Sequence, residues 1–140
     1  MIISEYPIQV RYAETDQMGV VYHANYVIWM ELGRTSLIEK LGFRYADMEE
    51  QGVVSPVTGL QVKYKSPVKY GETPLIKTWI EHYDGLRVTY GYEVVKENGD
   101  VALSATSDHV CVKKDGFRPI SIKKKFPNWH QAYVDATKEE

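Results

Sequence analysis

Apolar positions follow two different periods along this chain. Between residues 24 and 41 they recur every three or four residues, at Tyr26, Met30, Gly33, Leu37 and Leu41, and Val27, Trp29, Leu32 and Ile38 widen the stripe. That spacing and width predict a helix buried over most of its surface. Its start falls between Tyr22 and Asn25, so it spans about 17 to 20 residues and roughly 25 to 30 Å. Gly42 stands where a left-handed C-terminal cap is expected, and Lys40 lies in the last turn, where the helix dipole favours a positive charge. Gly33 costs about 1 kcal/mol of helix propensity relative to alanine, which points to close packing of the helix against a sheet.

Elsewhere the period is two. Residues 2 to 12 alternate around Ile3, Tyr6, Ile8, Val10 and Tyr12, with Pro7 marking an edge or irregularity. Leu60, Val62 and Tyr64 share one face of a strand, with Gln61, Lys63 and Lys65 on the other, and Pro67 marks its end as an edge or bulge. A strand follows from about Leu75 to Tyr83, then the Asp84-Gly85 turn. Leu86, Val88, Tyr90, Tyr92 and Val94 line the next strand; Asn98-Gly99 turns it into another carrying Val101, Leu103, Ala105, Ser107, His109 and Cys111. Asp115-Gly116 closes that strand. FRYADMEEQG, after Gly42, reads as a short helix or turn ending near Gly52. From about residue 117 the chain is a polar, less regular tail, with Phe126, Trp129 and Tyr133 able to anchor a short helix and an end expected to fray. The predicted fold class is α+β: a five-stranded antiparallel sheet, one long helix on one face, and a single domain over residues 1–140. Such a sheet cannot cover a helix on every side, so pairing with a second subunit is expected.

Seventeen basic and nineteen acidic residues nearly cancel, which argues against a dedicated nucleic-acid partner. Cys111 is the lone cysteine, so an internal disulfide, a thiolate metal cluster and a C-x-x-C pair are excluded, and a reducing cytoplasm is expected. Neither a signal-peptide pattern nor an 18-residue apolar run is present, so no integral membrane association is expected. Eleven tyrosines and three tryptophans make aromatic packing a large share of the core or an interface.

Chemistry concentrates where the chain enters the helix. Between Arg11 and Asn25 lie Glu14, Asp16, Gly19, Tyr22 and His23. A helix start has unsatisfied backbone N–H groups that favour a negative or polarised oxygen. Asp16 lies seven residues upstream of His23, far enough for the loop to fold back and present its carboxylate beside that point. Carboxylate and oxyanion site together suit acyl transfer, with Asp16 as nucleophile or general base. The plainer account is that Asp16 caps a turn and His23 caps the helix. The other histidines show no H-E-x-x-H or ligand spacing, so no metal is expected. Ser66 to Lys69 reads S-x-x-K but lacks the companion motifs of serine acyl enzymes; no G-x-S-x-G elbow, phosphate loop or dinucleotide fingerprint occurs. Glu31 is most simply a partner of Arg34, three residues on, and Cys111 a small core residue.

YAETDQMGVVYHANYVIWME resembles the signature of hotdog-fold acyl-CoA thioesterases of the 4-hydroxybenzoyl-CoA and Tol-Pal-associated type. The likeness is dense over residues 12 to 34 and extends, through strand order and length, over roughly 5 to 115. It implies a long central helix wrapped by the sheet, hydrolysis of a coenzyme A thioester without metal or cofactor, Asp16 as the catalytic carboxylate and His23 beside the thioester. It further implies N–H groups near Tyr22 and His23 on the carbonyl oxygen, and a dimer or tetramer, about 64 kDa for four 16.1 kDa chains, with coenzyme A entering at a subunit boundary. GLQVKYKSPVKYG resembles the segment that passes near the active site, so Lys63, Lys65 and Lys69, with Arg118, Lys123, Lys124 and Lys125 of the tail, are candidates for phosphate contacts; each also reads as solvent-facing. Two other functions fit the same residues: an enoyl-CoA hydratase or dehydratase of this fold, and an acyl-thioester binder without turnover.

Overall fold

The alternation in the second half of the chain folds into one antiparallel sheet. The computed structural model describes residues 1–138. In chain order it contains β1 (Ser4–Pro7), a single 3-10 turn (Tyr12–Glu14), α1 (Asn25–Lys40), α2 (Tyr45–Glu50), β2 (Val53–Val54) and β3 (Val57–Tyr64). β4 (Leu75–Tyr83), β5 (Arg87–Val95), β6 (Val101–Val110), β7 (Val112–Lys113), α3 (Ile122–Lys125) and α4 (Pro127–Ala136) follow. Five strands pair in the order β1-β4-β5-β6-β3, every neighbour antiparallel, and β2 pairs with β7 apart from them. With α1 laid on this sheet the architecture is the hotdog fold. The β4–β5 turn is tied by Asp84, whose Oδ1 accepts the N–H groups of Leu86 and Arg87 at 2.9 and 2.7 Å.

The 16 residues of α1 fall just short of the expected length, because regular helix begins at Asn25. Its far end closes as the sequence predicts. Gly42 has φ +96°, its N–H reaches Glu39 O at 3.0 Å and the Phe43 N–H reaches Ile38 O at 3.1 Å, the paired bonds of a Schellman cap. Trp29, Met30 and Leu37 are wholly buried, each contributing about 1.5–3 kcal/mol through lost apolar exposure.

Gly33 is where helix and sheet come closest. A Cβ there would run into Thr78 Oγ1 and lie 3.3 Å from Ile76 Cγ1. Both neighbours are buried on β4, and β-branched side chains have little rotamer freedom to give way. Gly33→Ala is therefore expected to lower stability by about 1–3 kcal/mol despite its better helix propensity. Adding Thr78→Ala removes the obstructing oxygen, so a double-mutant cycle by denaturant unfolding should show the two changes strongly non-additive.

One expectation is corrected. The first strand is four residues long because Pro7 has no N–H to donate; beyond it, single bonds from Ile8 N to Pro74 O and Val10 N to Glu72 O keep the chain beside the sheet. The tail forms the expected short helix, α4, and it is docked: Ile122, Trp129, Tyr133 and Ala136 are buried, and the Trp129 ring stacks on Phe43 at 4.9 Å. The fraying expected at the terminus falls partly on Glu139 and Glu140, outside the described residues. Among the described residues no helix is long and apolar enough to cross a membrane.

Candidate active site

The loop leading into α1 is held by a buried carboxylate. Glu14 ends the 3-10 turn with its side chain turned inward, and the residue is 5% exposed. Oε1 accepts the Arg11 N–H at 2.8 Å, and Oε2 accepts the Trp29 indole N–H at 2.8 Å and Arg11 Nη2 at 3.5 Å. Burial pushes the carboxyl pKa up, but the hydrogen bonds from the Arg11 backbone, the Trp29 indole and the Arg11 guanidinium outweigh it and hold it below the ordinary value. The Glu14 carbonyl then accepts the Tyr22 N–H and Asn25 Nδ2, both at 2.8 Å. One residue thus fixes both ends of the 15–21 loop.

Within that loop Thr15 bridges to Val21, Asp16 N–H donates to Val20 O at 2.9 Å and Gly19 N–H donates to Asp16 O at 3.0 Å. Asp16 Oδ1 accepts the Met18 N–H at 2.8 Å, closing an Asx turn. Its Oδ2 has no partner among the described residues. The far side of the loop is pinned by the Val21 N–H to Val68 O bond, 2.8 Å, and by a bridge between Val20 and Lys69.

At the helix start the Tyr22 N–H is committed to Glu14 O, which narrows the expected donors. The N–H groups of His23 and Ala24 have no protein acceptor among the described residues. No side chain caps α1. The His23 ring instead lies against Tyr22, with centroids 4.4 Å apart, and edge-on to Tyr64 at 6.1 Å, while its carbonyl accepts the Tyr64 hydroxyl at 3.1 Å. Of the plainer account, the turn cap by Asp16 is present and the helix cap by His23 is not. Tyr26, one turn into the helix, packs on Trp29 and Tyr64, and its burial pushes the phenol up to about 12.

The candidate cations divide by position. Lys69 adjoins the loop through Val20, Lys63 lies on β3 and Lys65 one residue past its end. Arg118 lies in the turn after β7, where its carbonyl accepts the Lys113 N–H. All four side chains are exposed.

A second feature lies further along α1. A cavity of about 280 Å3 is lined by aromatic and aliphatic groups including Ile38, Tyr45, Met48, Val88, Tyr90 and Trp129, and by the polar Glu31, Arg34 and His109. The expected Glu31–Arg34 ion pair is absent among the described residues. Arg34 Nη1 donates instead to Tyr92 Oη at 3.1 Å. That partner stands 58 positions away, so helix spacing could not reveal it.

Residues 10–132 match the model of the thioesterase-like superfamily. The "Putative acyl-CoA thioesterase YneP" of Bacillus subtilis (strain 168) is 54% identical over 99% of this chain and 100% of its own. The crystal structure of DHNA-CoA thioesterase from Staphylococcus aureus superposes with a TM-score of 0.94 at 50% identity, covering 96% of this chain and 91% of that one. A 1,4-dihydroxy-2-naphthoyl-CoA thioesterase from Synechocystis, at 20% identity, TM-score 0.86 and coverage of 98% and 99%, shares the fold. The chain belongs to the thioesterase-like superfamily, as a hotdog-fold acyl-CoA thioesterase.

Proposed function

We propose that the chain hydrolyses the coenzyme A thioester of a hydroxylated aromatic acid, with Asp16 supplying the reacting carboxylate and the His23 and Ala24 N–H groups receiving the oxyanion. The observation that carries this reading is the pair of unpartnered N–H groups at the start of α1, tied through Glu14 to a carboxylate with one unpartnered oxygen. Fixed donors aimed at developing negative charge supply the largest part of acyl-transfer catalysis in many enzymes. Asp16 either takes a proton from water, whose oxygen then adds to the thioester carbon, or adds there itself to form an anhydride that water opens. Both routes need the ionised carboxylate. In both, the tetrahedral oxyanion collapses, the carbon–sulfur bond breaks, and coenzyme A leaves as a thiolate that takes up a proton.

Two facts favour an aromatic acyl group. The S. aureus neighbour is described as acting on DHNA-CoA, and the aromatic-lined cavity of about 280 Å3 exceeds the roughly 150 Å3 that holds a benzene ring in an engineered protein.

The same reading makes the active unit a dimer. β3 is an eight-residue edge strand exposing Val57, Leu60 and Tyr64, and a long apolar edge invites a further strand. Antiparallel self-pairing about its middle sets Tyr64, which touches His23, opposite the partner subunit's Val57. Val57 lines the cavity mouth, so the Asp16 loop of one chain meets the acyl cavity of the other, with coenzyme A entering along the boundary and Lys69 beside its path.

Incubation with a panel of aliphatic, benzoyl and hydroxynaphthoyl coenzyme A thioesters tests the function. Stoichiometric free thiol and free acid, fastest with the hydroxylated aromatic substrate, is expected. Hydrated acyl-CoA without thiol would instead make the protein a hydratase, and tight binding with neither product would make it a binder.

A further inference from the structure

The cavity holds a cation without a carboxylate partner, at one end of a buried chain of hydrogen bonds. Arg34 Nη1 donates to Tyr92 Oη at 3.1 Å; Tyr92 Oη lies 2.6 Å from Ser107 Oγ; Ser107 Oγ lies 2.8 Å from His109 Nε2; and His109 Nδ1 lies 3.4 Å from Ser55 O. Tyr92, Ser107 and His109 are 1–3% exposed. The two ends fix the direction of every proton, because a guanidinium can only donate and a carbonyl can only accept. Burial, and then the nearby Arg34 charge, lower His109 to about 4, so near neutral pH its ring carries one N–H. That hydrogen sits on Nδ1, Nε2 accepts the Ser107 hydroxyl, and Ser107 accepts the Tyr92 hydroxyl. The reverse order would set a nitrogen lone pair against the Ser55 carbonyl and leave the Tyr92 proton without an acceptor.

The relay is therefore saturated, with no proton left in Tyr92, Ser107 or His109 for a ligand. It anchors one N–H of Arg34, and a guanidinium has five. No carboxylate among the described residues lies within ion-pair distance of the others, although Glu31 lines the same cavity. A half-buried cation held this rigidly, among Tyr45, Tyr90 and Trp129, suits an oxygen carried on an aromatic ring.

We infer that Arg34 is a specificity-determining residue of this enzyme, donating to a ring hydroxyl or its phenolate on an acyl group seated in the cavity, with Tyr92, Ser107 and His109 as the residues that position it. This rests on the thioesterase reading above and adds the group that distinguishes a hydroxylated ring from a bare one.

The test compares 1,4-dihydroxy-2-naphthoyl-CoA with 2-naphthoyl-CoA. For Arg34→Met the ratio of kcat/KM between these substrates should fall by about 10- to 100-fold, the range expected for a hydrogen bond from a charged donor; Arg34→Lys should fall less. An unchanged ratio, or equal loss on both substrates, overturns the inference. Should Arg34→Met fail to fold by circular dichroism and thermal melting, Arg34→Gln carries the same comparison. Calorimetric titration with the two free naphthoic acids separates the inference from the parent reading. Selective weakening of the dihydroxy acid in the variant supports the role of Arg34 even in a protein that hydrolyses neither thioester, and equal affinity of both variant and wild type for it refutes that role.

Discussion

Asp16→Asn is expected to lower kcat by about 100- to 10,000-fold, the usual consequence of deleting a proton-transfer or nucleophilic group, with thermal stability within about 1 kcal/mol of wild type. The turn depends on Asp16 only through Oδ1, which accepts the Met18 N–H. An asparagine offers the same oxygen in the same place. What it lacks is the negative charge, and the substituted position is Oδ2, which has no protein partner to lose. Substrate affinity should change far less than turnover, and affinity is best measured directly because KM equals it only when chemistry is slow. His23→Ala should be milder: it removes ring contacts with Tyr22 and Tyr64 but leaves the main-chain N–H where it is.

Two residues earlier, Glu14→Gln should behave in the opposite way. Both carboxylate oxygens of Glu14 accept hydrogen bonds, from Arg11 on one side and from Trp29 and Arg11 on the other. A glutamine amide has one acceptor end, so in either orientation its NH2 faces an N–H donor. One buried donor is left unmet, at a cost of about 1–3 kcal/mol, and the melting temperature should drop by roughly 3 to 10 °C. Part of the activity goes with it, because the Glu14 carbonyl sets the position of Tyr22 and Asn25. The pH dependence follows from the depressed carboxyl. Glu14 contributes stability at pH values above the ordinary glutamate range, and that contribution is lost as pH falls through its lower folded-state value. Wild type should therefore lose stability in acid more steeply than Glu14→Gln, as followed by melting between about pH 3 and 7.

The contrast between these carboxylates shows where sequence reading stops. Alternation along Leu75–Tyr83, Arg87–Val95 and Val101–Val110, with Asp84-Gly85 and Asn98-Gly99 between them, made the sheet legible because each signal is local to one strand or turn. The helix stripe and its Gly42 cap were legible for the same reason. Glu14 was visible only as one more acidic residue near the helix start. Its partner Trp29 stands 15 positions later, and only the folded loop shows that the carboxylate turns inward. Helix spacing pairs Arg34 with Glu31, three residues away, but a buried Tyr92 from β5 offers a partner that is already desolvated. In the tail, Trp129 and Tyr133 are legible as anchors of a short helix and are buried, and Ile122 is buried with them, since a few large apolar side chains suffice to dock a short helix. The reduced first strand traces to the missing donor of Pro7, which ends regular pairing although the alternation continues to Tyr12.

The most direct test of the central claim is thiol release at saturating 1,4-dihydroxy-2-naphthoyl-CoA, paired with melting on the same preparations of wild type, Asp16→Asn and Glu14→Gln. Asp16→Asn is expected to melt like wild type and bind the substrate while releasing thiol at least about 100-fold more slowly, whereas Glu14→Gln should melt measurably lower. Near-wild-type thiol release by a well-folded Asp16→Asn would remove Asp16 from the chemistry and leave it as the cap of its turn.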